Sequence, residues 1–233
     1  MAATRKRPAA LLFDLDGTLI DSMPLHHAAW RRWFARHVLP FDEAGFFEAT
    51  AGRTNEEILR DLFPALDDAR RAVLAEEKEA LYREQAAASL STIAGAQAFM
   101  RAARDAGCKV AICTAAPTAN MRVAFDRFGL DACIDAVTSP ADSDAAGVRL
   151  RGKPHPDIFL EAARRLRVEP ADCVVFEDAP LGVEAARRAG MAAVALTTTL
   201  PAGAFAGFDN LLLTMPDFVG RDPISFQRDI HHA

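Results

Sequence analysis

Six polar residues of the sequence have the side-chain types that bind a metal ion and a phosphate group. They occur in four separate stretches, as Asp14 and Asp16 in DLDGT, Thr114 in ICTAA, Lys153 in GKPHPD, and Glu177 with Asp178 in FEDAP. Crowded carboxylates repel one another, so they need a cation or must stay protonated, and Mg²⁺ accepts carboxylates together with phosphate oxygens. A lysine and a threonine hydroxyl beside the metal would complete an anion site, where an unprotonated aspartate is a candidate nucleophile.

The spacing of the first two acids indicates a division of roles. Asp14 and Asp16 are two residues apart, so an extended strand would place both side chains on one face, with Leu15 opposite. Gly17 then permits a tight turn that lets the backbone approach a ligand. One carboxylate could attack phosphorus while the other donates a proton to the leaving oxygen. Asp21 lies beyond this turn, and we expect it to be a hinge or capping residue.

The elements that would position these residues alternate between strand-like and helical segments. The strand-like segments are residues 9–16, 108–114, 133–137, 173–178 and 192–196, and the helical segments are residues 95–107, 117–129, 156–168 and 180–190. This alternation predicts an α/β fold in which helices cover both faces of a parallel sheet. Loops at the carboxyl ends of parallel strands share one crevice, so the six polar residues should meet there.

The residues between the first strand and this alternating region have a purely helical pattern. Apolar residues recur at helical spacing in residues 24–39, 54–63 and 66–88. Thr54 and Glu57 have the spacing of a capping box, in which a threonine and a glutamate three residues later cap a helix start. The pattern predicts an all-helical insert.

The insert divides the predicted chain into two domains. We expect a core of residues 1–22 and 94–233 and a helical cap of residues 23–93, with hinges at residues 22–24 and 91–95. Closure of such a cap would exclude bulk water and select a small substrate, because little room remains for a folded protein.

Composition narrows the class of protein. The chain has 233 residues, 51% of them hydrophobic and 25% charged, with a net charge of −5, which does not favour nucleic-acid binding. No apolar run approaches the ~20 residues of a membrane helix, and the N-terminus has no signal-peptide pattern, so we expect a cytoplasmic protein without a membrane partner. The four cysteines have no metal-binding spacing and should be small buried side chains in a reducing compartment. We expect a monomer or a weak homodimer.

The ordered motifs resemble those of the haloacid dehalogenase (HAD) superfamily. The sequence is similar to the branch with a small helical cap, which includes β-phosphoglucomutase and many sugar-phosphate phosphatases. Four motifs carry the resemblance, namely DLDGT at residues 14–18, Thr114, GKPHPD at residues 152–157 and FEDAPLGVEAARRAG at residues 176–190. The resemblance implies a Rossmann-like core with a cap inserted after the first motif.

The resemblance also implies a role for each motif residue. Asp14 would be the nucleophile that forms an aspartyl-phosphate, and Asp16 the general acid and then the base for water. The implied Mg²⁺ ligands are Asp14, the backbone carbonyl of Asp16 and Asp178, with Glu177 in support. The residues that would hold the transferring phosphoryl group are Thr114, Ala115 and Lys153. An acid at position 16 favours phosphate-ester chemistry over dehalogenation, because a halide leaving group does not need its proton.

The cap separates two reactions of the branch, phosphate hydrolysis and phosphate transfer within a sugar. Four residues match the mutase pattern, namely His26, Trp30, Lys78 and Tyr82. Three groups that would grip a mutase's second phosphate are missing, because their positions hold Asn55, Ala116 and Pro117. Arg53 could compensate only if the cap loop is arranged differently. We therefore predict a phosphatase of a small phosphorylated metabolite and keep the phosphomutase as the alternative.

Other interpretations stay open at this stage. The candidate substrate residues of the cap are His26, Arg53, Asn55 and Lys78. Instead, His26 could pack against the core together with Trp30, and Lys78 could be solvated in a charge-rich helix. The whole chain could also be a signalling module that keeps a phosphoryl group on an aspartate, or a metabolite-binding protein with an inactive site.

Overall fold

A six-stranded parallel sheet forms the centre of the protein in a computed structural model that describes residues 7–50 and 53–226. The strands are β1 (Ala10–Phe13), β2 (Lys109–Cys113), β3 (Ala136–Thr138), β4 (Cys173–Glu177), β5 (Ala192–Leu196) and β6 (Leu211–Met215). They pair in parallel in the order β3-β2-β1-β4-β5-β6. The predicted α/β fold is confirmed, and β6 is an additional strand at the edge.

Eight α-helices accompany the sheet within the described residues. They are α1 (Met23–Arg36), α2 (Glu43–Thr50), α3 (Asn55–Leu62), α4 (Asp68–Ser89), α5 (Ala96–Asp105), α6 (Thr118–Phe128), α7 (Asp157–Leu166) and α8 (Pro180–Arg188). The first four follow β1 directly, and α2 is the one among these four that the sequence pattern did not predict. The predicted capping box begins α3: the Thr54 hydroxyl accepts from the Glu57 amide, and the Glu57 carboxylate accepts from the Thr54 amide.

Two apolar layers bury the faces of the sheet. Successive residues of a strand point to opposite faces, so Leu11 and Phe13 of β1 lie in one layer and Leu12 lies in the other. The first layer includes Phe99 of α5, and the second includes Phe159 of α7. Because both faces are covered, the central strands are apolar throughout, as parallel strands in such folds usually are.

Five phenylalanine rings hold the two central strands together beneath the candidate site. Phe13 of β1 stacks on Phe176 of β4, with 4.8 Å between ring centroids. Phe99 meets both rings edge-on, and Phe218 and Phe226 close the cluster. These contacts fix the relative positions of the strands whose ends carry Asp14, Glu177 and Asp178.

Aromatic side chains of helices α1 to α4 pack together as part of the first apolar layer. Trp33 of α1 is fully buried, and its indole N–H donates to the carbonyl of Leu74 in α4 over 3.2 Å. Trp30, Phe34 and Phe46 pack around one another beside it. The division into cap and core, with hinges at residues 22–24 and 91–95, stays a prediction.

The end of β1 differs from the extended strand that the sequence predicted. The strand stops at Phe13, and Asp14 is joined to β4 by its amide, which donates to the Phe176 carbonyl over 2.9 Å. The chain then coils, because the Leu15 carbonyl accepts from the amides of Leu19 and Ile20. The prediction that Asp14 and Asp16 share a strand face is therefore wrong; a turn positions them instead. Similarly, the third strand begins at Ala136, three residues later than predicted.

The structure can be compared with two expectations drawn from composition, which concern the cysteines and membrane-spanning helices. Cys108, Cys113 and Cys173 are buried, Cys133 is partly buried, and all four are free thiols. Burial raises the pKa of Cys113 to about 12, so its thiol is chemically unreactive at neutral pH. Among the helices that the structure describes, none combines the length and apolar character needed to cross a bilayer.

Replacement of Phe99 by alanine should weaken the whole fold. The substitution leaves a cavity beneath β1 and β4, and we expect the free energy of unfolding to fall by about 3–5 kcal/mol. Urea unfolding followed by circular dichroism measures it. Val148→Ala, at a side chain 62% exposed, is the control and should change stability by less than about 0.5 kcal/mol. A similar small loss for Phe99→Ala would contradict the packing role.

Candidate active site

The sheet brings the sequence-predicted polar residues to one edge. Asp14 follows β1, Thr114 follows β2, and Glu177 ends β4 with Asp178 next in the chain. Because β1 pairs with both β2 and β4, these ends are adjacent. Lys153 comes from the loop before α7, where its peptide bond to Pro154 is cis. These residues therefore lie at the carboxyl ends of adjacent strands, where the sequence pattern predicted them.

Three buried carboxylates form the centre of the site. One oxygen each of Asp14, Glu177 and Asp178 lies within 4.8 Å of the others. The ammonium of Lys153 forms ion pairs with Asp14, over 2.5 Å, and with Glu177. A single ammonium thus faces three acidic groups.

The excess of negative charge perturbs the acids. Burial raises the pKa of Asp178 to about 7, and the charge of Glu177 adds to the effect. Burial also raises the pKa of Asp14 well above its usual value, while Lys153 opposes the shift. Lys153 is buried too, yet the neighbouring carboxylates raise its pKa and keep it charged. The cluster is therefore short of positive charge.

The donor set fits a hard divalent cation. Oxygen ligands with surplus negative charge are what Mg²⁺ prefers, and Mg²⁺ keeps coordination positions for substrate phosphate oxygens. Asp14 and Asp178 would hold the ion with Glu177 beside them, and the resemblance adds the backbone carbonyl of Asp16. The ion would supply charge neutralisation for an incoming phosphate dianion.

Glycines and backbone amides hold the acids in place. Glu177 accepts hydrogen bonds from the amides of Asp178 and Ala179, both 3.1 Å long. A Cβ on Gly182 of α8 would lie 1.9 Å from the Glu177 carboxyl carbon, and a Cβ on Gly17 would lie 2.1 Å from an Asp178 oxygen. Gly17 also has a φ of +73°, which favours glycine. Both glycines leave room for carboxylates that side chains would displace.

Three threonines that the sequence reasoning missed support this arrangement. The hydroxyls of Thr199 and Thr18 donate to the two Asp178 oxygens, and the Thr198 hydroxyl donates to the Gly17 carbonyl. Thr198 and Thr199 follow β5 closely, so the strand-end rule that found the other residues could have found them. Thr18 was visible as the last residue of DLDGT.

Asp16 has a different environment from Asp14. Its side chain is 23% exposed and lies 3.5 Å from Nε2 of His26. The charge of Asp16 still contributes to the raised pKa values of Asp14 and Asp178. Burial by itself would raise the pKa of Asp16, but hydrogen bonds from His26 and Ser22, together with the charge of Lys78, help to hold the pKa below its usual value. Without a cation, these shifts favour the protonated form of Asp14 and the carboxylate form of Asp16. A cation beside Asp14 would lower the pKa of Asp14 and favour the carboxylate that a nucleophile needs.

The second strand presents the candidate phosphate-binding residues. Thr114 is buried, and its hydroxyl accepts from the amide of Ala116 over 3.0 Å. Ala115 is exposed at the mouth of the site. That these residues and Lys153 bind a phosphoryl group stays a prediction.

The four candidate residues of the cap divide into two groups. Lys78 is buried, so the interpretation of it as a solvated lysine is wrong; its ammonium lies 2.7 Å from Nδ1 of His26, next to Asp16. Arg53, by contrast, donates to Asp61 and to the Glu57 carbonyl. Asn55 donates to Glu79. Within the described residues, His26 contacts Asp16 and Lys78 contacts His26, whereas Arg53 and Asn55 have other partners.

Two further polar residues of this region escaped the sequence reasoning. Glu79 of α4 and Asn120 of α6 are both buried and hydrogen-bonded to each other. A glutamate in a charge-rich helix is normally solvated, so nothing in the pattern set Glu79 apart. Lys78 did carry a signal, because Leu81 and Tyr82 lie three and four residues further along the same buried helix face.

Comparison with known proteins decides the family. The model of the haloacid dehalogenase-like hydrolases matches residues 8–190, which include every motif described above. The chain belongs to this family. The predicted enzyme is thus confirmed as a HAD hydrolase, and its Rossmann-like core as the family's fold.

Relatives of this HAD hydrolase include both reaction types of the branch. A validoxylamine A 7′-phosphate phosphatase of Streptomyces hygroscopicus subsp. limoneus is 33% identical over 201 residues, which cover 86% of this chain and 91% of that protein. A β-phosphoglucomutase of Bacillus subtilis is 30% identical over 193 residues, covering 79% and 81% respectively. A crystal structure of a family IA, variant 3 HAD hydrolase from Entamoeba histolytica superposes with a TM-score of 0.79 at 28% identity, covering 90% and 93%.

Substitution of Gly182 by alanine should impair metal binding. The added methyl group must displace Glu177, and we expect Mg²⁺ affinity to fall by about tenfold or more, with a loss of about 1–3 kcal/mol in stability. Calorimetric titration with Mg²⁺ measures the affinity. Gly203→Ala adds a methyl group in open space and should bind as the wild type does. Equal affinities for both variants would show that the carboxylates do not form the metal site.

Proposed function

We propose that this HAD hydrolase is a Mg²⁺-dependent phosphatase of a small phosphorylated metabolite, a sugar phosphate in the first instance. The observation that carries the proposal is the pairing of two acids in opposite environments. Asp14 lies in the charge-rich cluster beside Lys153, whereas Asp16 lies beside His26. Phosphate-ester hydrolysis through an enzyme-bound intermediate needs a nucleophile and a separate proton-transfer group in this relation.

The reaction would proceed in two balanced steps. A carboxylate oxygen of Asp14 attacks phosphorus, the ester P–O bond breaks, and Asp16 gives its proton to the departing oxygen. A water molecule then attacks the aspartyl-phosphate, its proton passes to Asp16, and inorganic phosphate leaves as Asp14 is regenerated. Thr114, Ala115 and Lys153 would hold the phosphoryl oxygens throughout.

His26 would assist the second step in particular. Its position 3.5 Å from Asp16 favours the carboxylate form of that acid. A carboxylate is what accepts the proton of the attacking water. Protonation of Asp16 for the first step would then accompany substrate binding.

The cap contacts favour hydrolysis over the mutase reaction. A mutase must hold two phosphates at once, which calls for a cationic group away from the reacting phosphorus. Asn55, at the position of the mutase arginine, is engaged by the carboxylate of Glu79, and Arg53 is engaged by Asp61. Ala116 and Pro117 offer no charge. These contacts disfavour a second phosphate where the mutase would bind it.

Two arguments support the proposed substrate class: the substrates named for related proteins, and the small space that closure of the helices would leave. The names of the Streptomyces and Bacillus relatives specify phosphorylated small molecules, which supports a metabolite in place of a macromolecule. Closure of helices α1 to α4 over the site would favour the same size. A soluble metabolite would suit the cytoplasmic location and the monomeric or weakly dimeric state that we expect.

The non-enzymatic alternatives have less support. A signalling module must keep its aspartyl-phosphate, whereas Asp16 is placed to promote its breakdown. An inactive binding protein would have lost a catalytic group, yet all six polar residues of the predicted set are present and converge.

Replacement of Asp14 by asparagine should abolish phosphate release. The amide is a poor nucleophile, so activity should fall by several orders of magnitude on every substrate of a panel of phosphorylated metabolites assayed with Mg²⁺. Asp21→Asn makes the same chemical change at an exposed acid seven residues away and should retain wild-type activity. Colorimetric detection of inorganic phosphate provides the measurement.

Two results would contradict the proposal. Phosphate release that persists in Asp14→Asn would exclude this residue as the nucleophile. Interconversion of hexose phosphates without net release of phosphate would assign the mutase reaction instead.

A further inference from the structure

A chain of buried polar side chains leads from Asp16 to the core helix α6. Lys78, Glu79 and Asn120 are only 2%, 5% and 3% exposed, although none belongs to the carboxylate cluster. Burial of two charged groups and an amide is costly unless each is paired. The hydrogen-bond partners of these three side chains therefore indicate which neighbouring group each one holds in place.

The first link sets the proton position on His26. The Lys78 ammonium has no lone pair, so Nδ1 of His26, 2.7 Å away, must be the acceptor. The ring proton is then on Nε2, which faces Asp16. Stacking of the imidazole on Tyr82, with 4.0 Å between centroids, fixes the plane of the ring.

The second link holds Lys78 in place. Glu79 Oε1 accepts from the Lys78 ammonium over 3.0 Å and also accepts from Asn55. Burial lowers the pKa of Lys78, while the charge of Glu79 opposes the shift. Without a correctly placed Glu79, Lys78 would lose its buried counter-ion.

The third link crosses from α4 to α6. Asn120 Nδ2 donates to Glu79 Oε2 over 2.5 Å, and its Oδ1 accepts from Arg83 over 3.1 Å. Glu79 and Arg83 are one helical turn apart, so a single amide engages both. Since α6 begins just after the Thr114 to Pro117 segment, Asn120 is tied to the part of the core that would hold phosphate.

We propose that Asn120 is a positioning residue that acts through Glu79, Lys78 and His26 to orient Asp16 when α4 lies on α6 as it does here. The side chain of Asn120 is hydrogen-bonded to Glu79 and Arg83, so its effect on Asp16 must pass along the chain. The proposal rests on the proposed function for its kinetic consequence, but the state of His26 can be measured without substrate.

A second contact between the same helices provides the matched control. Arg127 of α6 donates to the carbonyls of Leu90, Ala87 and Ala88 at the end of α4. It joins α4 to α6 without touching Glu79, Lys78 or His26. Arg127→Gln therefore weakens helix docking and leaves the polar chain intact.

The kinetic test compares Asn120→Ala with Arg127→Gln on a phosphate ester that the wild type hydrolyses. We expect kcat to fall by about tenfold or more for Asn120→Ala with KM within about twofold, because Asp16 loses its orientation. Arg127→Gln should keep its kcat. In a His26→Gln background, Asn120→Ala should cost nothing further. Equal losses for both single variants, or full additivity with His26→Gln, would overturn the proposal.

The spectroscopic test reads the tautomer of His26 directly. Nitrogen-15 NMR of the metal-free protein, with His26→Gln identifying the signal, should show a proton on Nε2 in the wild type and in Arg127→Gln. The signal should shift towards a mixture of tautomers in Asn120→Ala. An unchanged His26 signal in Asn120→Ala would overturn the proposal. Should that variant fail to fold, Glu79→Gln breaks the same chain one link later and decides the question by the same signal.

The two proposals fail separately. If the wild type releases phosphate from no ester, the proposed function fails, while the tautomer of His26 still decides whether the chain exists. If the wild type is active and Asn120→Ala behaves like Arg127→Gln in both tests, the chain fails and the phosphatase remains.

Discussion

Mutual repulsion among Asp14, Glu177 and Asp178 is the constraint on which the rest of the site depends. One lysine cannot balance three buried carboxylates, and burial together with the charge of the neighbouring acids raises the pKa values of Asp14 and Asp178. The surrounding structure holds the acids together against this repulsion. Apolar strands fix their backbones, phenylalanine rings lock β1 to β4, and glycines at positions 17 and 182 leave room for the carboxylates. Such a site is ready for a cation and for the phosphate that the cation accompanies.

Asp16 lies beside His26 and not beside Lys153, so the site has a second acid in a different environment. Two residues of chain carry the backbone through a turn, so that one acid is directed towards Lys153 and the other towards His26. The same fold element thus presents two carboxylates with opposite pKa shifts. The polar chain through Lys78 and Glu79 extends this second environment to α6, so it connects the helices after β1 to the neighbourhood of Asp16.

Much of the core could be predicted because its signals are local. Strand segments such as VVF and AAVAL are continuous apolar runs between turn residues, and polar groups directly after them mark the site. The path of the chain after Phe13 could not be predicted in the same way, because hydrogen bonds to the Leu15 carbonyl override the extended pattern. The edge strand β6 was missed, since it is only partly buried and lies beyond the motifs. Glu79 and Asn120 were missed because their burial depends on the packing of α4 on α6, which no periodicity in either helix encodes.

The most direct test of the central claim is the dependence of thermal stability on Mg²⁺. A cation that relieves repulsion in the folded state, and does not bind the unfolded chain, must stabilise the fold by an amount that grows with the logarithm of its concentration above its dissociation constant. The account predicts that the unfolding temperature of the wild type rises steadily with Mg²⁺ concentration, and that Asp178→Asn, which removes one of the repelling charges, loses most of this rise. An unfolding temperature of the wild type that is the same in Mg²⁺ and in chelator would contradict it.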